Sequence, residues 1–288
     1  MNALPKAVSV VMRSFNEAWA VGDTIRQLFA QDFDGEIELI IIDSGSTDGS
    51  IEIIKKANPA KLIQIPPGTY VPGVVLNQGA REASHDWIVY LNADATPVGN
   101  NWLSELLAPC LGNPRFGAAF SRQIPRPDCM AVFASDYDRC FGPARESKSW
   151  DHFFSMVSSV TRRSVLDQVP IREDLQYAED DEWTRRLIAR GFEIPYAIGS
   201  VVMHSHNYTL RQSYKRAFGD AKAMAATSTG EPRPALLGWL ADSLRDAKWC
   251  LRNRRPGGFP FASAVRLAQR LGRRAGDRAG REFYQRDT

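Results

Sequence analysis

Between Glu38 and Asp43 the chain reads Leu39-Ile40-Ile41-Ile42, with no polar residue in alternation. A strand with one wet face alternates apolar and polar side chains. An unbroken β-branched run must be covered on both faces, which places it centrally in a parallel sheet between helical layers. The flanking segments agree. Strands are expected at 7–13, 62–65, 86–92, 117–120 and 194–203. Helical spacing is expected at 17–31, with Asn16 as N-cap and Ile25, Leu28 and Phe29 on one face, and again at 49–57, 73–84, 101–111 and 179–190. Gly191 is the expected cap of the last of these. Strands alternating with helices imply an α/β fold, a Rossmann-like, mostly parallel sheet flanked by helices. The stretch 122–170 is less regular. From Leu210 onward the chain reads as helical, broken at Pro232-Arg233-Pro234 and at Pro256-Gly257-Gly258-Phe259-Pro260.

The expected organisation is an α/β domain over 1–215, in two halves, 1–121 and 122–215, and a helical basic C-terminal extension over 216–288. Residues 236–288 hold 12 Lys/Arg and 5 Asp/Glu, net +7, which leaves the rest of the chain at −4. A basic tail suits an anionic partner. No nucleic-acid-reading motif is present and the acidic remainder would repel a phosphate backbone, so no nucleic-acid partner is expected. In 236–252, Leu237, Leu240, Leu244 and Leu251 recur at helical spacing beside Arg245, Lys248 and Arg252, with Trp239 and Trp249 near that face. Such a helix lies in a membrane interface or packs on the catalytic domain. No run of about 18 apolar residues exists, and Met1 to Val11 lacks a signal-peptide pattern. The four cysteines form no metal-binding pair and read as reduced thiols. The expected location is cytoplasmic, with peripheral attachment to the inner face of the cytoplasmic membrane if the tail binds lipid.

Ligands of open α/β sheets bind beyond the carboxyl ends of the strands. Asp43 and Asp94 stand at such ends, Glu179-Asp180-Asp181 opens a helix, and His204 and His206 follow the last long strand. Singly, each has an ordinary role: a helix cap, a turn, a complement to a helix dipole, a strand end. Together they suit a divalent cation and a phosphorylated ligand.

Five stretches carry a resemblance: "RSFNEA" (13–18), "IIDSGSTDGS" (41–50), "NADATP" (92–97), "EDDEWTRRL" (179–187) and "HSHNYTLRQ" (204–212). In this order they resemble the family 2 glycosyltransferases of GT-A fold, and within them the rhamnosyltransferase group. The resemblance covers roughly the first 215 residues, with 1–121 as the nucleotide-sugar-binding half and 122–215 as the acceptor-binding and catalytic half, and implies an inverting transfer of a sugar from a nucleotide diphosphate, best matched by dTDP-rhamnose, with UDP-sugars next and guanine nucleotides also open. The acceptor would be a saccharide or a lipid-linked saccharide. It implies that Asp94 binds Mg²⁺ or Mn²⁺ at the donor diphosphate, where Asn92 replaces the first acid of the family's DxD motif and Ala93 lies between them. Of the imidazoles, His204 is favoured over His206 as a further ligand, because it follows the strand directly. Asp43 would meet the base of the donor, and Arg13, Asn16 and Glu17 would line the nucleotide pocket. Asp180 would be the general base, with Glu179 orienting the acceptor. "FSRQIPRPDC" (120–129) adds Arg122 and Gln123 as donor contacts, and Arg211 with Lys215 would close over the donor from a segment at 205–215. The alternative is a non-catalytic nucleotide-sugar- or glycan-binding module on the same fold.

Overall fold

The computed structural model describes residues 3–150, 152–225 and 235–284. The chain forms two compact units, one from Met1–Ile124, Glu146–Leu175 and Glu179–His204, the other from Pro125–Arg145, Gln176–Ala178 and Ser205–Thr288.

The first unit is built on an eight-stranded sheet. Its strands are β1 (Ala7–Ser14), β2 (Glu36–Asp43), β3 (Lys61–Gln64), β4 (Trp87–Asn92), β5 (Thr96–Pro97), β6 (Ala118–Ile124), β7 (Ser158–Arg162) and β8 (Tyr196–Met203). They lie in the order β3-β2-β1-β4-β7-β6-β8-β5. The continuous apolar run of β2 is central, as expected: Leu39 to Ile42 are at most 1% exposed, and β2 pairs in parallel with β1 and β3. β4 continues the parallel set beside β1. β7 then runs antiparallel to both β4 and β6, so β6 points the same way as β4, and β8 pairs in parallel with β6. The carboxyl ends of β1, β2, β3, β4, β6 and β8 therefore share one rim. β7 is a strand within the stretch read as irregular. Its sequence, Ser-Ser-Val-Thr-Arg, lacks an apolar run because its hydroxyls are used inside: Trp102 Nε1 donates to Ser158 Oγ at 3.0 Å and to Ser121 Oγ at 3.2 Å, and Ser121 bonds Ser200 at 2.7 Å. A buried polar group is tolerated when it is fully bonded.

Helices α1 (Val21–Phe29), α2 (Ser50–Lys56), α3 (Pro72–Glu82), α4 (Trp102–Leu107), α6 (Arg163–Gln168) and α7 (Glu179–Ala189) accompany the sheet, while α5 (Ala131–Phe141) belongs to the second unit. Two details of α1 differ from expectation. Asn16 is not its N-cap: Ala20 holds that position, and Asn16 sits at φ 54 with its side chain accepting from Thr47 N at 2.8 Å. Asn tolerates this left-handed backbone, and its amide ties the first loop to the β2 loop. Phe29, expected on the buried face with Ile25 and Leu28, is exposed. Gly191 closes α7 as expected, at φ 83.

The second unit also contains α8 (Leu210–Met224), α9 (Ala235–Arg252) and α10 (Phe259–Tyr284). The segment at 205–215, expected to close over the donor, is helical from Leu210, started by a capping box between Thr209 and Gln212. The break expected at Pro232-Arg233-Pro234 lies outside the described residues. Gly272 and Gly276 of α10 let α8 approach closely, since a Cβ on either would strike the backbone at Tyr214 or Phe218. Inside, Arg266 is 3% exposed and donates to Asp246 at 2.7 and 3.0 Å and to Asp136 at 2.8 and 2.9 Å. Burial disfavours its charge, but the two carboxylates outweigh that and raise its pKa. Trp239 and Trp249 belong to this packed side rather than to the leucine face of α9: their indole N–H groups donate to Ser263 O at 3.0 Å and Asp138 Oδ2 at 2.7 Å.

Candidate functional site

The rim of the first unit is assembled around Arg13, near the end of β1. Its Nε and Nη2 both donate to Asn92 Oδ1, at 3.2 and 2.8 Å, and its Nη1 donates to Tyr70 Oη at 3.0 Å. Nη1 also lies 3.6 Å from Glu179 Oε1. Burial works against the guanidinium charge, but Tyr70, Glu179 and Asp180 outweigh it, so the pKa of Arg13 is raised. One cation thus joins the end of β4 to the start of α7. Tyr70 was not legible from sequence, for it stands in a loop before α3 with no periodic or charged pattern around it.

Beyond β4 the backbone turns tightly. Ala95 N donates to Asn92 O at 2.9 Å, and Ala93 N reaches across to Arg13 O at 3.0 Å. This fixes Ala93 and holds the fully buried Asp94 above the strand ends. Asp94 Oδ2 lies 3.5 Å from His204 Nε2, just past the end of β8. On the other side of that ring, Nδ1 bonds Gln123 Oε1 at 2.9 Å, while Gln123 Nε2 donates to Ser155 Oγ at 2.7 Å. Gln123 Oε1 thus takes the Nδ1 hydrogen, and in a neutral ring Nε2, which faces Asp94, is the nitrogen able to ligate a cation. A carboxylate and a neutral imidazole at this spacing fit a divalent cation, whose bonds are about 2 Å long, and a mixed nitrogen and oxygen set suits Mn²⁺ well. His206 belongs to the second unit, where its ring packs 5.5 Å from that of Tyr208.

Glu17 follows the β1 loop, where Ser50 Oγ accepts from its backbone N–H at 2.9 Å. Burial, and then the charge of Asp94, push its carboxyl up to about 8. Asp43 ends β2 and is turned inward: Oδ1 accepts from Gly45 N and Ser46 N at 2.9 and 2.8 Å, and Oδ2 from Ser46 Oγ at 2.6 Å. It shapes its own loop, and Ser46 Oγ in turn accepts from Asn16 N at 2.8 Å. Arg122 is half-buried on β6 at an irregularity in the pairing with β8. Arg211 and Lys215 are exposed on α8 of the second unit.

Glu179 and Asp180 open α7, directly after Ala178 at φ 58, a left-handed conformation that is costly for a residue with a Cβ. Asp180 Oδ1 accepts from Asp181 N at 2.9 Å and Oδ2 from Met156 N at 3.4 Å. Burial, and then the charge of Glu179, raise its carboxyl to about 7, in spite of these hydrogen bonds and Arg13. His152, which sequence reading passed over, supports this turn. Its Nε2 is 2.5 Å from Thr184 Oγ1, which donates to Asp180 O at 2.7 Å. A carboxylate poised near neutrality suits proton transfer.

Comparison with known proteins bears on the family and the fold. The model of the family Glycosyl transferase family 2 matches residues 9–169, more than half of the chain. The O-antigen chain rhamnosyltransferase WbaN of Salmonella anatum is 29% identical over 223 residues, 73% of this chain and 70% of that protein. RfbN of Salmonella typhimurium, also an O-antigen chain rhamnosyltransferase, is 28% identical over 63% of this chain and 61% of its own length. Among solved structures, a mannosyltransferase from Pyrobaculum calidifontis in complex with GDP-Man and Mn²⁺ superposes with a TM-score of 0.59 at 20% identity, covering 90% of this chain and 73% of that one. Glucosyl-3-phosphoglycerate synthase from Mycobacterium tuberculosis, in complex with Mg²⁺ and UDP, gives 0.53 at 17% identity over 73% of this chain and 75% of that one. The sheet order, the rim of acids and the extent of the family match lead to one conclusion: the chain is a glycosyltransferase and belongs to glycosyl transferase family 2.

Proposed function

We propose that the chain moves rhamnose from dTDP-rhamnose to a saccharide or lipid-linked saccharide by a single inverting displacement, with Asp180 as general base and a divalent cation at Asp94. The observation that carries this reading is the position of Arg13, bonded to Asn92 at the end of β4 and 3.6 Å from Glu179 at the start of α7. That shared cation supports a reading in which the diphosphate of a donor and the base for an acceptor meet on one strand-end rim. The likeness to curated rhamnosyltransferases supports the choice of sugar.

The chain's residues divide the work. Asp43 and Asn16 shape the loop that receives the base of the donor, and Arg13, Glu17 and Arg122 line the way to its phosphates. Asp94 and His204 would hold Mg²⁺ or Mn²⁺, with Mn²⁺ favoured by the imidazole. A divalent cation held there would supply positive charge to offset the charge that develops on the departing diphosphate. Glu179 orients the acceptor hydroxyl. Asp180 takes its proton as the oxygen bonds the anomeric carbon, and the bond from that carbon to the diphosphate oxygen breaks with its electron pair leaving on the diphosphate.

The test is calorimetric titration with dTDP-rhamnose, UDP-glucose, UDP-galactose, UDP-N-acetylglucosamine and GDP-mannose, each with Mn²⁺ and with chelator. Metal-dependent binding of dTDP-rhamnose above the others is expected. Preference for another donor overturns the choice of sugar. No binding of any donor by folded protein favours the non-catalytic module.

A further inference from the structure

Helix α9 is amphipathic in an inverted sense. Its inward side carries buried polar residues beside Trp239, Trp249 and Cys250: Asp242, Ser243 and Asp246 are buried, Asp242 and Asp246 pairing with Arg270 and Arg266 of α10. Its outward side is apolar: Leu236, Leu237, Leu240, Leu244 and Leu251 are between 44% and 71% exposed. At about 100° per residue these five leucines fall within an arc of about 100°, and Arg245, Lys248 and Arg252 follow over the next ~80°. Lys248 and Arg252 are exposed, while Arg245 is half-buried beside Asp242. Burying Asp-Arg pairs while wetting five leucines is the reverse of what water favours.

We propose that this face of α9 docks the chain onto an anionic lipid bilayer, the leucines entering the acyl boundary and Lys248 and Arg252 meeting the headgroup phosphates. The proposal is independent of which sugar is transferred. Two observations select a bilayer over a second copy of the chain. The leucine stripe offers roughly 500 Å² of apolar area, below the ~800 Å² per partner of an ordinary protein interface. Its single-signed cationic edge complements an anionic surface, whereas in an antiparallel pairing of two copies it would face and repel itself. Segments that lie in the interface have this combination of leucines, flanking Lys/Arg and no spanning length.

The experiment is co-sedimentation of the full chain with vesicles of phosphatidylcholine alone and of phosphatidylcholine with phosphatidylglycerol. Leu240→Glu/Leu244→Glu and Lys248→Glu/Arg252→Glu variants are run beside it, and light scattering reports the mass of each protein in solution. The expected result is binding that needs phosphatidylglycerol and falls at least tenfold in both variants, while their melting temperatures stay within a few degrees of wild type. The proposal is overturned if folded wild type stays in the supernatant, if binding survives the leucine variant, or if wild type is a dimer that the leucine variant dissociates. Sedimentation needs neither donor nor turnover, so its failure is separate from any failure of the sugar assignment.

Discussion

Asp180→Asn should make the enzyme inactive and the fold more stable. The carboxyl of Asp180 is raised to about 7 by burial and by Glu179, against an ordinary value near 3.9. Below about 7 the wild-type carboxyl holds its proton and cannot accept another, so kcat/KM should fall roughly tenfold per pH unit on the acid side. The amide cannot accept the proton at any pH, and the loss should be on the order of 10³-fold with donor binding retained. The stability effect has the opposite direction. Between about 4 and 7 the unfolded chain has released this proton and the folded chain has kept it, so folding weakens as pH rises through that window and stays weaker above it. The full shift corresponds to ~4 kcal/mol. Because solvent reaches the half-buried side chain, about 1–2 kcal/mol is the expected gain for the neutral amide at pH 8, and almost none is expected at pH 4. The assays are release of the nucleoside diphosphate from pH 5 to 9 and thermal melting at pH 4 and 8. A variant with more than a tenth of wild-type turnover refutes the base assignment. One that melts below wild type at pH 8 refutes the electrostatic argument.

Three further outcomes test other parts of the structure. Asp94→Asn should weaken Mn²⁺-dependent donor binding at least about tenfold, to the level that chelator leaves in wild type, and calorimetry with and without Mn²⁺ measures it. Ala178→Gly releases the left-handed strain before α7 and should raise stability by up to ~1 kcal/mol in urea unfolding, while a less fixed first turn lowers kcat. Gly276→Val puts a side chain against the backbone of Phe218 and should cost about 1–3 kcal/mol in the same assay.

What could be read from sequence was what a local pattern encodes. The apolar run of β2, the acids at the ends of β2 and β4 and the Gly191 cap each declare themselves within a few residues. The placement of β7 could not be read this way, because Ser158 and Ser159 look exposed until Trp102, 56 residues earlier in the chain, donates to Ser158 and Ser159 donates to Met156 Sδ. Tyr70 and His152 were missed for a related reason. Each acts through one long-range bond, to Arg13 and to Thr184, and no spacing rule links such partners. Asn16 shows the converse error. A residue type that favours helix caps was given that role, although its left-handed backbone and its bond to Thr47 serve the loop instead.

Under the proposed assignment Asn92 stands where the family's DxD motif has its first acid, and Arg13 gives that replacement a physical meaning. Two N–H groups of Arg13 converge on Asn92 Oδ1, an uncharged acceptor, so the guanidinium keeps its charge for Glu179 and Asp180. An aspartate at 92 would accept the same two bonds as an ion pair and compete for that charge. Asn92→Asp should therefore do two things together. A second carboxylate beside Asp94 should tighten Mn²⁺ several-fold, and the acid limb of the pH profile should move upward from about 7 as Asp180 loses part of the Arg13 field. Calorimetry with Mn²⁺ and the pH dependence of kcat/KM report the two effects separately. Tighter metal with an unmoved pH limb would mean that Arg13 is an anchor for the β4 turn and has no electrostatic hold on the base.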